Sequence, residues 1–151
     1  MSPIKILGIA VLSFSLCAFG FLKALSLKVR ERQLESIVLG VGNLIRGIEN
    51  GAQELSDLLP VCFADCDFIY INGHSAECKS RDLDKRDRQL IDEFFSQLGR
   101  GFKGQETDRA KVYIKLFEER AEMAKAQNKA KSRLWQTLGV SLGATAVILL
   151  I

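Results

Sequence analysis

The 151-residue sequence has one histidine, one tryptophan and two prolines. Nucleophilic catalysis needs a base and an orienting group beside the nucleophile, and a single histidine leaves little for either role. There is no Gly-x-x-x-x-Gly-Lys-Ser/Thr loop, so the common nucleotide-hydrolysing motif is missing. The glycines of Leu98–Gly104 lack the preceding strand that phosphate loops use and read as a turn between helices. Carboxylates are plentiful, but they fall on solvated helix faces, with no pair set apart for acid–base work. The chain reads as non-enzymatic and without a cofactor.

Charge is also missing from two places. Ile6–Leu22 and Leu134–Ile151 contain no Lys, Arg, Asp or Glu, whereas all 18 acidic residues and 20 of the 21 basic ones lie between Lys23 and Arg133. The middle of the chain is therefore nearly balanced. It lacks the concentrated basic face that nucleic-acid binding requires. With Ile4, the first stretch covers about 19 residues, which at ~1.5 Å per residue is roughly 28 Å and enough to cross a hydrocarbon core. The second stretch ends in AVILLI and opens beside Trp135, a side chain suited to the membrane interface.

Both stretches are expected to span a lipid bilayer. The competing reading of the first is a cleaved signal peptide, with Lys5 ahead of it and small residues at Ala18 and Gly20, which would make a secreted helical protein. Its apolar run exceeds the ~7–15 residues of a signal core. Orientation follows from flanking positive charge. Lys23, Lys28, Arg30 and Arg32 follow the first stretch, and Lys125, Lys129, Lys131 and Arg133 precede the second. Both groups place the middle in the cytoplasm and both termini on the far side. The expected organisation is a transmembrane helix over 1–22, a cytoplasmic helical domain over 23–133 and a second transmembrane helix over 134–151.

The middle reads as helical. Leu34, Ile37, Val38, Val41, Leu44, Ile45 and Ile48 recur at three- and four-residue steps, the stripe of an amphipathic helix over Ser26–Leu59. Gly51 is a candidate stop within it, and Pro60 closes that helix or opens the next. Leu83, Leu90, Ile91, Phe94, Phe95 and Leu98 mark a second helix over Leu83–Leu98. Thr107 is the expected N-cap of a third, with Asp108 in its first turn and Ala110, Ile114, Phe117, Ala121 and Ala124 on its buried side. No Pro or Gly interrupts Asp108–Leu138, so that helix should run into the second apolar stretch. The fold class is all-α, a small antiparallel bundle with a membrane helix at each end. Leu34, Val41, Ile48, Phe94, Phe117 and Ala121 are expected in its core. Phe68–Ile71 is a short, ambiguous β-like run.

Cys62, Cys66, His74 and Cys78 lie close together and supply a Cys3His set that zinc accepts, at a spacing unlike the common zinc fingers. Reduced cytosolic thiols argue against structural disulfides. The plain alternative is small apolar cysteines in the fold and a surface histidine. A metal- or redox-responsive membrane sensor would use these four residues.

Several stretches carry a family likeness. The first is an apolar N-terminal segment followed by basic residues and a long helix. The second is IENGAQEL (Ile48–Leu55), through Ile48, Gly51 and Leu55. The third is DLDKRDRQLIDEFFSQLG (Asp82–Gly99), through Leu83, Asp87, Ile91, Phe94 and Leu98. The last is the tail, with spaced alanines, a basic run, Leu138-Gly139, Gly143 and a terminal ILLI. Together they resemble the stage III sporulation protein AB family, small relatives of the inner-membrane platform (F-type) proteins of type II secretion and type IV pilus systems.

The resemblance implies a non-enzymatic scaffold of a secretion-like channel between mother cell and forespore, needed for endospore formation. Its helical domain would face the mother-cell cytoplasm beside a secretion-type ATPase and other membrane proteins of the channel, with homo-oligomerisation left open. Arg81, Asp82, Asp84, Lys85 and Arg88, expected at the membrane-distal end of the bundle, are the candidate ATPase-facing charges. Taken singly, each also fits a solvated helix face.

Overall fold

A computed structural model describes residues 3–51, 54–72 and 75–150, apart from the side chains of residues 3–7, 9, 10, 12, 16, 75, 146, 149 and 150. The described elements are α1 (Pro3–Asn50), α2 (Leu55–Cys62), β1 (Ile69–Asn72), β2 (Ser75–Cys78), α3 (Lys85–Gln97) and α4 (Lys103–Leu150). The chain divides into two compact units. One holds Met1–Val29 with Lys125–Ile151, and the other is Arg30–Ala124.

In the Arg30–Ala124 unit, the apolar stripe of α1 is the floor of the core. Leu34, Ile37, Val41 and Leu44 are fully buried, and Ile45 and Ile48 nearly so. Val38 packs at the margin. Gly51, at φ +68, takes the left-handed conformation after Asn50 and ends the helix, its N–H donating to Gly47 and Ile48 carbonyls. The helix expected over Ser26–Leu59 is therefore two elements. Pro60 lies inside the short α2 and neither opens nor closes it.

From α2 the chain runs back along α1. Phe63 lies against Gly40, and further on the Ser80 hydroxyl donates to Gln33 Oε1 at 2.6 Å. Between them β1 and β2 form an antiparallel hairpin, with Ile69 opposite Cys78 and Asn72 opposite Ser75. The structure is thus mostly helical with a small two-stranded sheet, which corrects the all-α expectation. Strands of four residues carry too few alternations to be read as a period of two. Ile69 is buried and Tyr70 exposed, the alternation a one-sided strand requires.

α3 then rises along the core and α4 returns. Phe94 is the aromatic centre, with Phe95, Tyr113 and Phe117 at ring-centroid distances of 5.2, 5.3 and 5.8 Å. Phe63 meets Phe95 edge-on at 5.2 Å. These tilted and T-shaped contacts suit the ring quadrupoles. On α4, Ala110, Phe117 and Ala124 are buried as expected, Ile114 and Ala121 are partly buried, and Tyr113 joins them. α4 begins at Lys103, a full turn before Thr107. Thr107 is inside the helix, where its hydroxyl donates to the Lys103 carbonyl at 3.1 Å. The Glu106 carboxylate reaches back to the Gly101 N–H at 2.7 Å and sets the chain's entry into α4.

In the other unit, α1 and α4 segments meet through small residues. A Cβ on Gly20 would stand 2.6 Å from the Trp135 carbonyl oxygen and 3.1 Å from Gly139 Cα. One on Gly143 would stand 3.0 Å from Cys17 Sγ and 3.3 Å from the Ser13 carbonyl oxygen. The Cys17 thiol faces the Gly139 carbonyl at 3.6 Å. Gly139 and Gly143 form the Gly-x-x-x-Gly spacing that lets two helix backbones approach closely.

Two glycines of the Arg30–Ala124 unit should respond to alanine with opposite signs. A Cβ at Gly40 would lie 2.6 Å from the Phe63 ring and 3.2 Å from the Cys62 carbonyl, whereas nothing lies within 4 Å of one at Gly104. Gly40→Ala is expected to lower stability by about 1–3 kcal/mol through overpacking. Gly104→Ala should raise it by about 0.5–1 kcal/mol through backbone entropy. Urea unfolding of the two variants checks both signs.

Candidate functional site

The segment Ser80–Arg88 carries the candidate partner-facing charges, and its placement depends on Arg30. The Arg30 side chain is 6% exposed, yet it is a full cation. Its Nε donates to Asp87 Oδ2 at 2.8 Å, and Asp87 is completely buried. A second guanidinium nitrogen lies 3.0 Å from Asp84, whose carboxylate is 62% exposed. Two buried opposite charges are costly to desolvate, and their attraction offsets that cost only when the geometry is good. The exposed partner Asp84 adds little to stability by itself.

Asp84 and Asp87 have a second task. Asp84 is the N-cap of α3 and Asp87 its N3 residue, in a reciprocal capping box. The Asp84 N–H donates to the same Asp87 oxygen that receives Arg30, at 3.3 Å. One carboxylate therefore fixes the start of α3 and ties it to α1. At the other end, Arg109 donates to the Gln97 carbonyl at 2.8 Å, a cation placed on the negative end of the α3 dipole. The Glu106 carboxylate stands 3.4 Å from that guanidinium.

This arrangement sorts the five predicted charges. Asp84 is an anchor. Asp82 is half-buried, and its backbone N–H donates to the Ser80 hydroxyl oxygen at 3.2 Å. Arg81, Lys85 and Arg88 are exposed and form no ion pair among the described residues. The group lies against Arg30, the first residue of its unit, because α2 and the hairpin carry the chain back along α1 before α3 begins. Asp87 and Arg30 are the residues that sequence reasoning left unassigned to the site. Asp87 was visible in the family-like stretch and Arg30 only as one of several basic flanking residues.

The cysteine set is less cohesive. Cys62, Cys66 and Cys78 are free thiols, and Cys66 is in the core at 2% exposure. His74 lies outside the described residues. Among the described residues no three His, Cys, Asp or Glu side chains come together as a metal set. Burial, with help from the nearby Asp65 and Asp67 carboxylates, pushes the Cys66 thiol up to about 11. Burial also raises Cys62 and Cys78. Thiols held protonated are poor nucleophiles and poor metal ligands at neutral pH.

The charges divide unevenly between the units. The segments 1–29 and 125–151 together hold seven Lys and Arg and no Asp or Glu, whereas Arg30–Ala124 holds 14 basic and 18 acidic residues, a net of −4. The exposed surface of the first unit is apolar as well. Phe14, Phe19, Leu22, Leu134, Leu142 and Ile148 are all more than half exposed. Among the described residues no helix is long and apolar enough to cross a membrane; within Ile6–Leu22 the side chains of residues 6, 7, 9, 10, 12 and 16 lie outside that description.

Two measurements test the site. Asp87→Ala removes the buried carboxylate that faces Arg30 and leaves the exposed Asp84 as its remaining ion-pair partner; it should cost about 3–5 kcal/mol, while the double variant Arg30→Met, Asp87→Leu should recover most of that loss. Chemical unfolding of both variants reads the difference. Cys66 gives a pH dependence of definite sign. Between the ordinary thiol value of 9.0 and about 11 the unfolded thiol is deprotonated and the folded one is not. Stability should therefore fall as pH rises through this window, by roughly 2–3 kcal/mol in all. Cys66→Ala should flatten that slope in unfolding measured from pH 8 to 11.

A family model for stage III sporulation protein AB matches residues 72–151, just over half of the chain. The match includes the Asp82–Gly99 stretch and the tail and leaves Ile48–Leu55 outside. No curated protein and no solved structure matches the chain. That family is a sporulation family and not a known enzyme family, and the chain belongs to it, as a member of the stage III sporulation protein AB family.

Proposed function

We propose that the chain is a non-enzymatic membrane assembly protein of a secretion-like channel between mother cell and forespore. Its 1–22 and 134–151 segments lie in the membrane, and residues 23–133 work in the mother-cell cytoplasm. The observation that carries the membrane part is the reversed burial of the first unit. Glycines, Ser13, Cys17 and Ala24 line the inside of the helix pair, while Phe and Leu side chains point out. Water-soluble pairs bury their large apolar side chains, because removing them from water drives association. Lipid provides no such drive, so membrane helices pack through small residues and expose large ones. Six of the seven basic residues, all but Lys5, lie between the two apolar stretches with no acidic residue among them and support the orientation, since basic flanks stay on the cytoplasmic side.

The docking part rests on the outward charges of Ser80–Arg88. Lys85 and Arg88 stand on the capped, ion-paired first turns of α3, and Arg81 on the bend just before them. A rigid cationic set suits an acidic surface of a secretion-type ATPase, whose encounter it would steer. Asp84, paired with Arg30, helps hold that set in place.

Deleting the gene in the parent organism should leave vegetative growth normal and reduce heat-resistant spores, with development arrested after engulfment. Complementation with Arg81→Glu, Lys85→Glu, Arg88→Glu should fail to restore spores, and the variant should lose co-purification of the ATPase while unfolding at the parent's midpoint. Normal spore counts in the deletion strain would refute the channel reading. Full rescue by the charge-reversed chain would refute the docking face alone.

A further inference from the structure

The helix-pair unit contains a cleft that none of the preceding functions uses. It measures about 460 Å³ and lies between the α1 and α4 segments of that unit. Lys28 on one side and Lys129 and Arg133 on the other line it, together with the Ser132 hydroxyl. Lys129 and Arg133 are four residues apart and so share one face of α4. No Asp or Glu lines the cleft, and none of the three cations forms an ion pair among the described residues. Phe21 and Leu25 line it on the same face of α1 as Lys28 and are each more than half exposed.

We propose that this cleft binds the phosphate of an anionic phospholipid headgroup. Three uncompensated cations at one place repel each other until an anion joins them, and a guanidinium matches phosphate oxygens two at a time. The wall chemistry selects the source of that phosphate. A free phosphate or a nucleic acid has no use for Phe21 and Leu25, whereas a lipid carries acyl chains directly beside its phosphodiester. Basic pockets between membrane helices on the cytoplasmic side bind acidic lipids on this principle. The inference rests on the membrane reading of the 1–22 and 134–151 segments.

Trp135, the one tryptophan in the sequence, is two residues from Arg133 and reports on the site. The full-length chain is reconstituted in phosphatidylcholine vesicles containing either brominated phosphatidylglycerol or brominated phosphatidylcholine. Phosphatidylglycerol should quench Trp135 at about one-tenth the mole fraction that phosphatidylcholine needs, given the gain expected from several basic contacts. Lys28→Gln, Lys129→Gln, Arg133→Gln should abolish the preference. Lys23→Gln, Lys125→Gln, Lys131→Gln removes the same charge from the same unit outside the cleft and should retain it. Equal loss in both triple variants would mean diffuse attraction and overturn the site. Displacement by millimolar inorganic phosphate would overturn the lipid assignment. Entry into vesicles with no preference would overturn the headgroup site alone. Failure to enter pure phosphatidylcholine vesicles would overturn the membrane reading and the site with it.

Discussion

The start of α3 has one position available to it, and the buried Arg30–Asp87 pair sets it. An arginine this deeply buried must find its carboxylate or lose several kcal/mol. That carboxylate is also the N3 residue of a capping box. Moving α3 by a turn would leave a cation unpaired and a helix uncapped at once. The route of the chain between α1 and α3 follows from this. Asp84 and Asp87 have to return to the level of Arg30, and α2 and the hairpin bring the chain there along α1, with Phe63 at Gly40 and Ser80 at Gln33. Arg109 at the Gln97 carbonyl secures the far end of α3. Ionic groups thus fix both ends of the helix, and Phe94 and Phe95 fill the core between them.

The two units follow different packing rules within one chain. Arg30–Ala124 puts its large apolar side chains inside and an excess of carboxylates outside. The helix pair puts glycine, serine, cysteine and alanine inside and phenylalanine and leucine outside, with only positive charge among its ionisable residues. Each rule makes sense for its own solvent. Water rewards burial of large apolar groups, and lipid leaves packing to close backbone approach.

Much of the helical framework was legible. The three- and four-residue spacing from Leu34 to Ile48 named the buried face of α1, and Phe94 and Phe117 stood out as core because they recur on the same helical faces. The family likeness in Asp82–Gly99 and the tail was equally readable, and both lie within the matched region. What stayed hidden depended on partners distant in sequence. Asp87 sits in the run RDLDKRDR, where alternating signs look like a solvated face, and nothing local marks it as the one carboxylate that faces Arg30. Arg30 counted as a flanking charge because sequence reveals charge and not its neighbour. The hairpin was too short to show a period. The start of α4 was misplaced because glycines at 101 and 104 lower helix propensity, whereas Glu106 bonding back to Gly101 overrides them.

The proposed function places the 1–22 and 134–151 segments in lipid and residues 23–133 in the cytoplasm. Labelling with a membrane-impermeant maleimide at pH 7 tests it most directly, using Tyr70→Cys, since Tyr70 is 54% exposed on the hairpin and the buried Cys66 thiol stays protonated there. The account predicts that the chain sediments with membranes after alkaline extraction, and that the new cysteine reacts in permeabilised protoplasts and not in intact ones. Reaction in intact protoplasts, or recovery of the chain in the alkaline supernatant, would contradict it.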